Sequence, residues 1–213
     1  MATTLAFDTS QQTLSIAIAQ NGTILSHHST PMATGQSEAL APAVQQILQE
    51  ANLTFSDLNR IVAITGPGSF TGLRISLATA QGLGLALSIP VVGLDSFTAY
   101  ATCIHEECNI LVVIDSQKQD VYCQLFSPHH QKLKDPMALD PIHISEYAGS
   151  ESFILTGTGL EKILPYMKDK NLSFEVTPIK PDQICQNSCF IDEVHFTVAE
   201  PYYLKEPMVT KPR

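Results

Sequence analysis

Apolar and polar positions along the first hundred residues change period several times. Leu5 to Phe7 is a short apolar run closed by Asp8-Thr9-Ser10, and Leu14 to Ala19 alternates like a strand. Asn21-Gly22 separates this run from a second one, Thr23 to Ser26. That pair predicts a tight hairpin, because a type I′ turn needs positive φ at both central residues. The spacing then becomes helical: Leu40, Val44, Ile47, Leu48 and Ala51 recur on one face, and Ser37 is the expected cap. Pro42 fits the first turns of that helix or a kink. Ile61 to Ile64 reads as a strand, Phe70 to Leu87 as a helix, and Val91 to Leu94 as a strand after Pro90. The expected order is βββαβαβ.

The pattern then restarts. Val112-Val113-Ile114-Asp115-Ser116 repeats the form of Leu5-Ala6-Phe7-Asp8-Thr9, and Val121 to Phe126 reads as the next strand. Leu155-Thr-Gly-Thr-Gly159 echoes Ile64-Thr-Gly-Pro-Gly68. Asp115 follows Asp8 by 107 residues and Thr156 follows Thr65 by 91, so the second copy is shorter between its landmarks. Two echoes in the same order predict an α/β protein built from a duplicated βββαβα unit. The expected lobes are 1–107 and a shorter 108–213 with an irregular tail. Stretches 128–141 and 178–181 are Pro-rich and read as loops, and Gln183 to Ile191 as a short helix.

Charge narrows the function. Twelve Lys and Arg against 21 Asp and Glu give a net charge of -9, with no basic stripe to hold a phosphate backbone. Tight nucleic-acid binding by this chain alone is therefore not expected, and the locally basic Lys205 to Arg213 reads as a solvated tail. Ile75 to Leu94 is uncharged over 20 residues, but Ser76, Gln81, Gly82 and Pro90 argue for a helix followed by a buried strand rather than a membrane span. The start of the chain shows no basic, cleavable apolar segment, which predicts a cytosolic protein. Its five cysteines are then expected as thiols. Cys103, His105 and Cys108 lack an evident fourth ligand for zinc, and His129-His130 reads as a polar turn, so no metal site is expected.

The segment GPGSFTG, Gly66 to Gly72, has two readings. Clustered backbone N–H groups before a helix suit a phosphate, yet no Gly-Lys-Ser/Thr follows. The structural reading is a strand-to-helix turn in which Gly66, Gly68 and Gly72 supply conformational freedom and Ser69 or Thr71 caps the helix. Within that helix Leu73, Leu77, Ala80, Leu83, Gly84 and Leu87 gather on one face, as a core stripe does. Ile75, Ala78, Gly82, Leu85 and Ala86 gather on the other, and small residues at 78, 82 and 86 would admit another helix closely. These five, with Leu40 and Val44, are the expected partner surface; the alternative is that the chain's own helices cover it. Arg74, near a positive helix end, calls for a carboxylate, with Asp8 and Asp95 the candidates.

A duplicated unit whose first strand ends in Asp-Thr-Ser resembles the actin, hexokinase and Hsp70-like (ASKHA) fold. More specifically, FDTS, then GPGSFTGLRIS followed by AQGLG, then Ala199-Glu-Pro-Tyr-Tyr-Leu, resemble the TsaB (YeaZ) family over essentially the whole chain. Gln36 stands where that family commonly carries histidine, Gln117 stands where many members carry arginine, and the 183–195 region is short for it.

The resemblance implies a noncatalytic partner of TsaD, the enzyme that transfers threonylcarbamoyl to the adenosine beside the anticodon of ANN-decoding tRNAs. TsaE would be recruited through that pair, pairing of two copies of this chain is the alternative arrangement, and tRNA would be reached only indirectly. No cofactor is implied for the chain alone, with ATP or ADP contact confined to the complex. Asp8, Thr9 and Ser10 would be a vestigial nucleotide-facing turn. TsaD-type enzymes hold a metal through His-x-x-x-His, and none of the seven histidines here are four apart. The other reading is an enzyme of its own on the same fold, a glycoprotease-like peptidase or a small-molecule ATPase. No Gly-x-Ser-x-Gly elbow or His-Glu-x-x-His helix supports that reading.

Overall fold

Two five-stranded sheets, built the same way, carry the chain in a computed structural model that describes residues 2–167, 173–177, 179–191 and 195–205. The expected tail beyond Lys205, Pro178 of the second Pro-rich stretch, and residues 192–194 of the short region lie outside the described residues.

The first half runs β1 (Thr3–Asp8), β2 (Thr13–Gln20), β3 (Thr23–Pro31), α1 (Gln36–Glu50), β4 (Arg60–Gly66), α2 (Phe70–Leu87), β5 (Val91–Asp95) and α3 (Ser96–Ala101). The second runs β6 (Asn109–Asp115), β7 (Val121–Phe126), β8 (Met137–Leu139), a 3-10 turn at Pro141–His143, α4 (Ile144–Ala148), β9 (Phe153–Thr156), α5 (Leu160–Met167), β10 (Phe174–Val176) and α6 (Pro181–Ser188). Sheet order is β3-β2-β1-β4-β5 in one and β8-β7-β6-β9-β10 in the other. In each, the first three strands are antiparallel and the last two join the first in parallel. The duplication is thus carried by topology strand for strand.

Local chemistry explains the landmarks. Asn21 and Gly22 have φ of 50° and 80°, the positive pair that a two-residue hairpin demands. Gly66 and Gly157, which end β4 and follow β9, both sit at strongly positive φ, 111° and 115°. Asp8 and Asp115, ending β1 and β6, each accept through Oδ1 from the N–H two residues on, at 2.7 and 2.6 Å. One expectation fails: α1 is not capped by Ser37. Gly35, left-handed at φ 87°, occupies the cap position, while Ser37 lies in the first turn and donates to Glu38.

Alternation along the strands sorts the core into layers. Leu5 and Phe7 face α1 and α2, whereas Ala6, Ala17 and Ala19 face the other way. On that inner side, α6 lies against β1, β2 and β3, and α3 lies against β6 as well as β4 and β5. Small side chains on the first sheet let these helices approach. Leu111 and Val113 turn outward to Ile144, Ile163 and Met167, while Ile110, Val112 and Ile114 turn inward. Both sheets are therefore covered on two faces, which is why their central strands read as nearly continuous apolar runs. Among the described residues, no helix is long and apolar enough to cross a membrane.

Candidate functional site

The turn entering α2 is shaped by close backbone approach. A Cβ on Gly72 would lie 1.9 Å from the Thr9 carbonyl oxygen, and one on Gly68 would lie 2.9 Å from the Ser10 carbonyl oxygen. The Ser69 N–H donates to that Ser10 oxygen at 2.7 Å, and the Thr9 hydroxyl donates to the Gly72 carbonyl at 2.7 Å. Ser69 caps the helix, its Oγ accepting from the Gly72 N–H. Asp8, Thr9 and Ser10 are 5%, 1% and 1% exposed, beneath this turn. Gly68 and Gly72 pack directly against Thr9 and Ser10. Burial raises the Asp8 carboxyl above its ordinary value, opposed by the bonding from Ser10.

Beyond the turn, α2 presents two unlike faces. Leu73, Ser76, Leu77, Ala80 and Gly84 are buried, and Gly84 touches β5 so closely that a Cβ would meet Val91 at 2.2 Å. Ala78, Gly82 and Ala86 are exposed, Leu85 is 85% exposed, and a Cβ on Gly82 would meet nothing within 4 Å. Ile75 is half-buried against the first core. Leu40 and Val44 do not belong to this surface: they are 0% and 1% exposed, because that face of α1 packs on the outer side of the first sheet.

Arg74 also departs from expectation. Its guanidinium lies 3.8 Å from the Phe70 ring centroid, and its Nε donates to the Tyr203 hydroxyl at 3.3 Å. Neither candidate carboxylate reaches it. Asp8 is buried with Ser10, and Asp95 caps α3 through the Thr98 N–H while accepting from Lys132 Nζ at 3.2 Å. An aromatic face holds the cation instead.

Tyr203 comes from a segment that follows the second sheet in sequence but packs on the first lobe. Gly93 and Thr197 exchange backbone hydrogen bonds at 2.9 and 2.8 Å, the Tyr202 N–H donates to the Thr65 carbonyl, and Gln81 Nε2 donates to the Ala199 carbonyl. The GPGSFTGLRIS and AEPYYL motifs thus form one surface. No spacing rule signals that contact; only their joint occurrence in a family pattern does.

A cleft of ≈ 990 Å³ opens between the lobes, with Thr65, Asp95 and Gln124 among its lining and Lys132 above Asp95. Sequence reasoning singled out only Asp95 of this group, and for another role. In the second lobe Asp115 pairs with Lys162. The thiols of Cys103, Cys123 and Cys189 are pushed by burial up to about 12, far from nucleophilic poise. Among the described residues, no group of three or more His, Cys, Asp or Glu could hold a metal ion.

Residues 30–185 match the family model described as TsaD, tRNA N6-adenosine threonylcarbamoyltransferase. The chain is 26% identical over 223 residues to the tRNA threonylcarbamoyladenosine biosynthesis protein TsaB of Escherichia coli, covering 97% of this chain and 96% of that protein. It is 34% identical over 125 residues to TsaB of Bacillus subtilis, where the match spans 58% of this chain and only 55% of the relative.

A Pseudomonas aeruginosa protein described by its similarity to peptidase YeaZ superposes with a TM-score of 0.80 at 24% identity, over 96% of this chain and 100% of that one. More distantly, an activator of 2-hydroxyisocaproyl-CoA dehydratase from Clostridium difficile, solved with bound ADPNP, superposes with a TM-score of 0.53 at 9% identity, over 88% and 92%. These likenesses carry the fold, a two-lobed ASKHA arrangement. The family model and the curated relatives show that the chain belongs to the TsaB (YeaZ) family, within the wider group matched by the TsaD model.

Proposed function

We propose that this protein acts in threonylcarbamoyladenosine biosynthesis as a noncatalytic partner of TsaD, with TsaE recruited through the pair. The observation that carries the reading is the exposed face of α2, where Ala78, Gly82, Leu85 and Ala86 stand in water beside a buried core stripe. Apolar helix faces with small residues in the middle suit close approach of a second helix. TsaD is the proposed occupant, and a second copy of this chain is the alternative one.

The burial of Asp8, Thr9 and Ser10 beneath the packed turn supports the noncatalytic part of the reading. The raised thiols speak against a cysteine peptidase. With a net charge of -9, the chain alone is expected to hold tRNA weakly.

Reconstitution tests the proposal. TsaD of the same host, its ATPase and the threonylcarbamoyl donor are assayed for tRNA modification with and without this chain. Transfer that needs the chain, with none from the chain alone, is the expected result. Robust transfer or peptide hydrolysis by the purified chain alone would replace the partner reading with the enzyme reading.

A further inference from the structure

Helix α2 carries a single charged side chain in its 18 residues, Arg74, and that side chain is held in place. Its Cζ lies 3.8 Å from the Phe70 ring centroid, and its Nε donates to the Tyr203 hydroxyl at 3.3 Å. Phe70 and Tyr203 are in turn in ring contact, their centroids 5.1 Å apart, so the platform under the cation is joined. Arg74 is exposed, and its Nη1 and Nη2 have no partner among the described residues. Stacking on a ring sets the guanidinium plane and leaves its fork of N–H donors open to a carboxylate.

Arg74 also stands in line with the exposed face of α2. At about 100° per residue, positions 74, 78, 82 and 85 fall within one side of the helix. All four are exposed, and the last three are Ala78, Gly82 and Leu85. The small apolar row therefore ends, one turn before Ala78, at a pre-set cation. A helix laid along this row meets apolar contacts over most of its length and needs an acid at the Arg74 end. Helix α2 has no carboxylate of its own, so two copies packed α2 on α2 give Arg74 no counter-charge. Charge complementarity favours a different protein.

We propose that Arg74 is the specificity residue of the α2 surface and pairs with an Asp or Glu ending an apolar helix face of TsaD. Phe70 and Tyr203 are its positioning residues. The inference rests on the partner reading of α2 and adds the chemistry that the partner must bring. Arginines fixed before association are where interface energy tends to concentrate.

Titration calorimetry of the full chain with TsaD of the same host reads the affinity, and sedimentation reads self-association. Arg74→Met, which keeps an apolar stem, should weaken TsaD binding by at least about tenfold. Arg74→Glu should weaken it by at least about a hundredfold, and Arg74→Lys should fall between the parent and Arg74→Met. Melting temperatures should stay within a few degrees, since the side chain is exposed; if Arg74→Glu does not fold, the other two variants decide. Tyr203→Phe should weaken binding in the parent and have no further effect beside Arg74→Met. Against Arg74→Glu, reversing TsaD surface carboxylates to Lys one at a time should restore binding at one position.

Parental affinity in the folded Arg74 variants overturns the inference, and so does a loss that no reversal on TsaD restores. Self-association lost in Arg74→Glu, with TsaD binding unchanged, gives the acid to a second copy and overturns it as well. If Gly82→Glu abolishes TsaD binding while the Arg74 variants bind normally, the α2 reading stands and only the role of Arg74 falls. A parent chain that does not bind TsaD brings down both.

Discussion

The Thr9 carbonyl oxygen sits 1.9 Å from where a Cβ on Gly72 would be, so a methyl group at 72 cannot be placed without pushing the β1–β2 turn off α2. Gly82, three turns along the same helix, has open space. Gly72→Ala should therefore cost more than about 3 kcal/mol. Gly82→Ala should instead stabilise by about 0.5–1 kcal/mol through helix propensity alone. Paired urea melts check both signs, and equal effects at the two positions would contradict the packing described.

Gly82→Glu separates folding from association. The side chain points into open space, so the melting temperature should stay within a few degrees of the parent. In a desolvated helix–helix contact, however, an unpaired carboxylate costs about 3 kcal/mol or more, a loss of at least about a hundredfold in affinity. A pull-down with TsaD and a sedimentation measurement of the chain alone read the two candidate partners. Normal binding of both would remove this face from consideration.

Asp8 gives a pH signature. Its folded value is raised above the ordinary 3.8 by burial, so the folded state favours the protonated form. Stability from this group is present below pH 3.8 and is lost as pH rises through the raised value. Asp8→Asn keeps an acceptor for the Ser10 N–H and cannot ionise. Its melting temperature should exceed the parent's near neutral pH, with the gap closing toward acid. A gap that widens in acid would show that the carboxylate is the favoured form.

Asp95 and Lys132 are bonded, yet they should not be equal in weight. Asp95 also accepts from the N–H and hydroxyl of Thr98, at 2.9 and 2.7 Å, and its side chain is 8% exposed. Asp95→Ala should cost about 2 kcal/mol, chiefly as a lost helix cap. Lys132→Ala removes a half-exposed partner and should cost under about 1 kcal/mol. Thermal melts of the two single variants test the ratio.

Much of the first half was legible because its elements are long and strongly periodic. The hairpin at Asn21-Gly22 and the strand–helix–strand run to Leu94 needed only local rules. The short pieces escaped. Ser96–Ala101 is a six-residue helix started by a strand-end aspartate, and Met137–Leu139 and Ile144–Ala148 lie within or beside a proline-rich stretch that reads as loop.

Apart from Ser37, displaced locally by Gly35 at the cap of α1, the misjudged side chains turn on long-range contact. Leu40 and Val44 look like any apolar stripe until the sheet they pack on is known. Arg74 looked short of a carboxylate because its ring and hydroxyl partners include Tyr203, 129 positions away.

The bridge between Gly93 and Thr197 also bears on the order in which the molecule is made. The exposed edge of β5, the groove holding Ala199 and the hydroxyl that meets Arg74 are all completed by residues made only after the whole second sheet. Throughout synthesis the first lobe carries an unpaired strand edge and an open apolar seam, both features that invite wrong pairing. Closure comes with the arrival of residues 197–203, so a chain truncated before them would keep its first sheet and lose its edge cover.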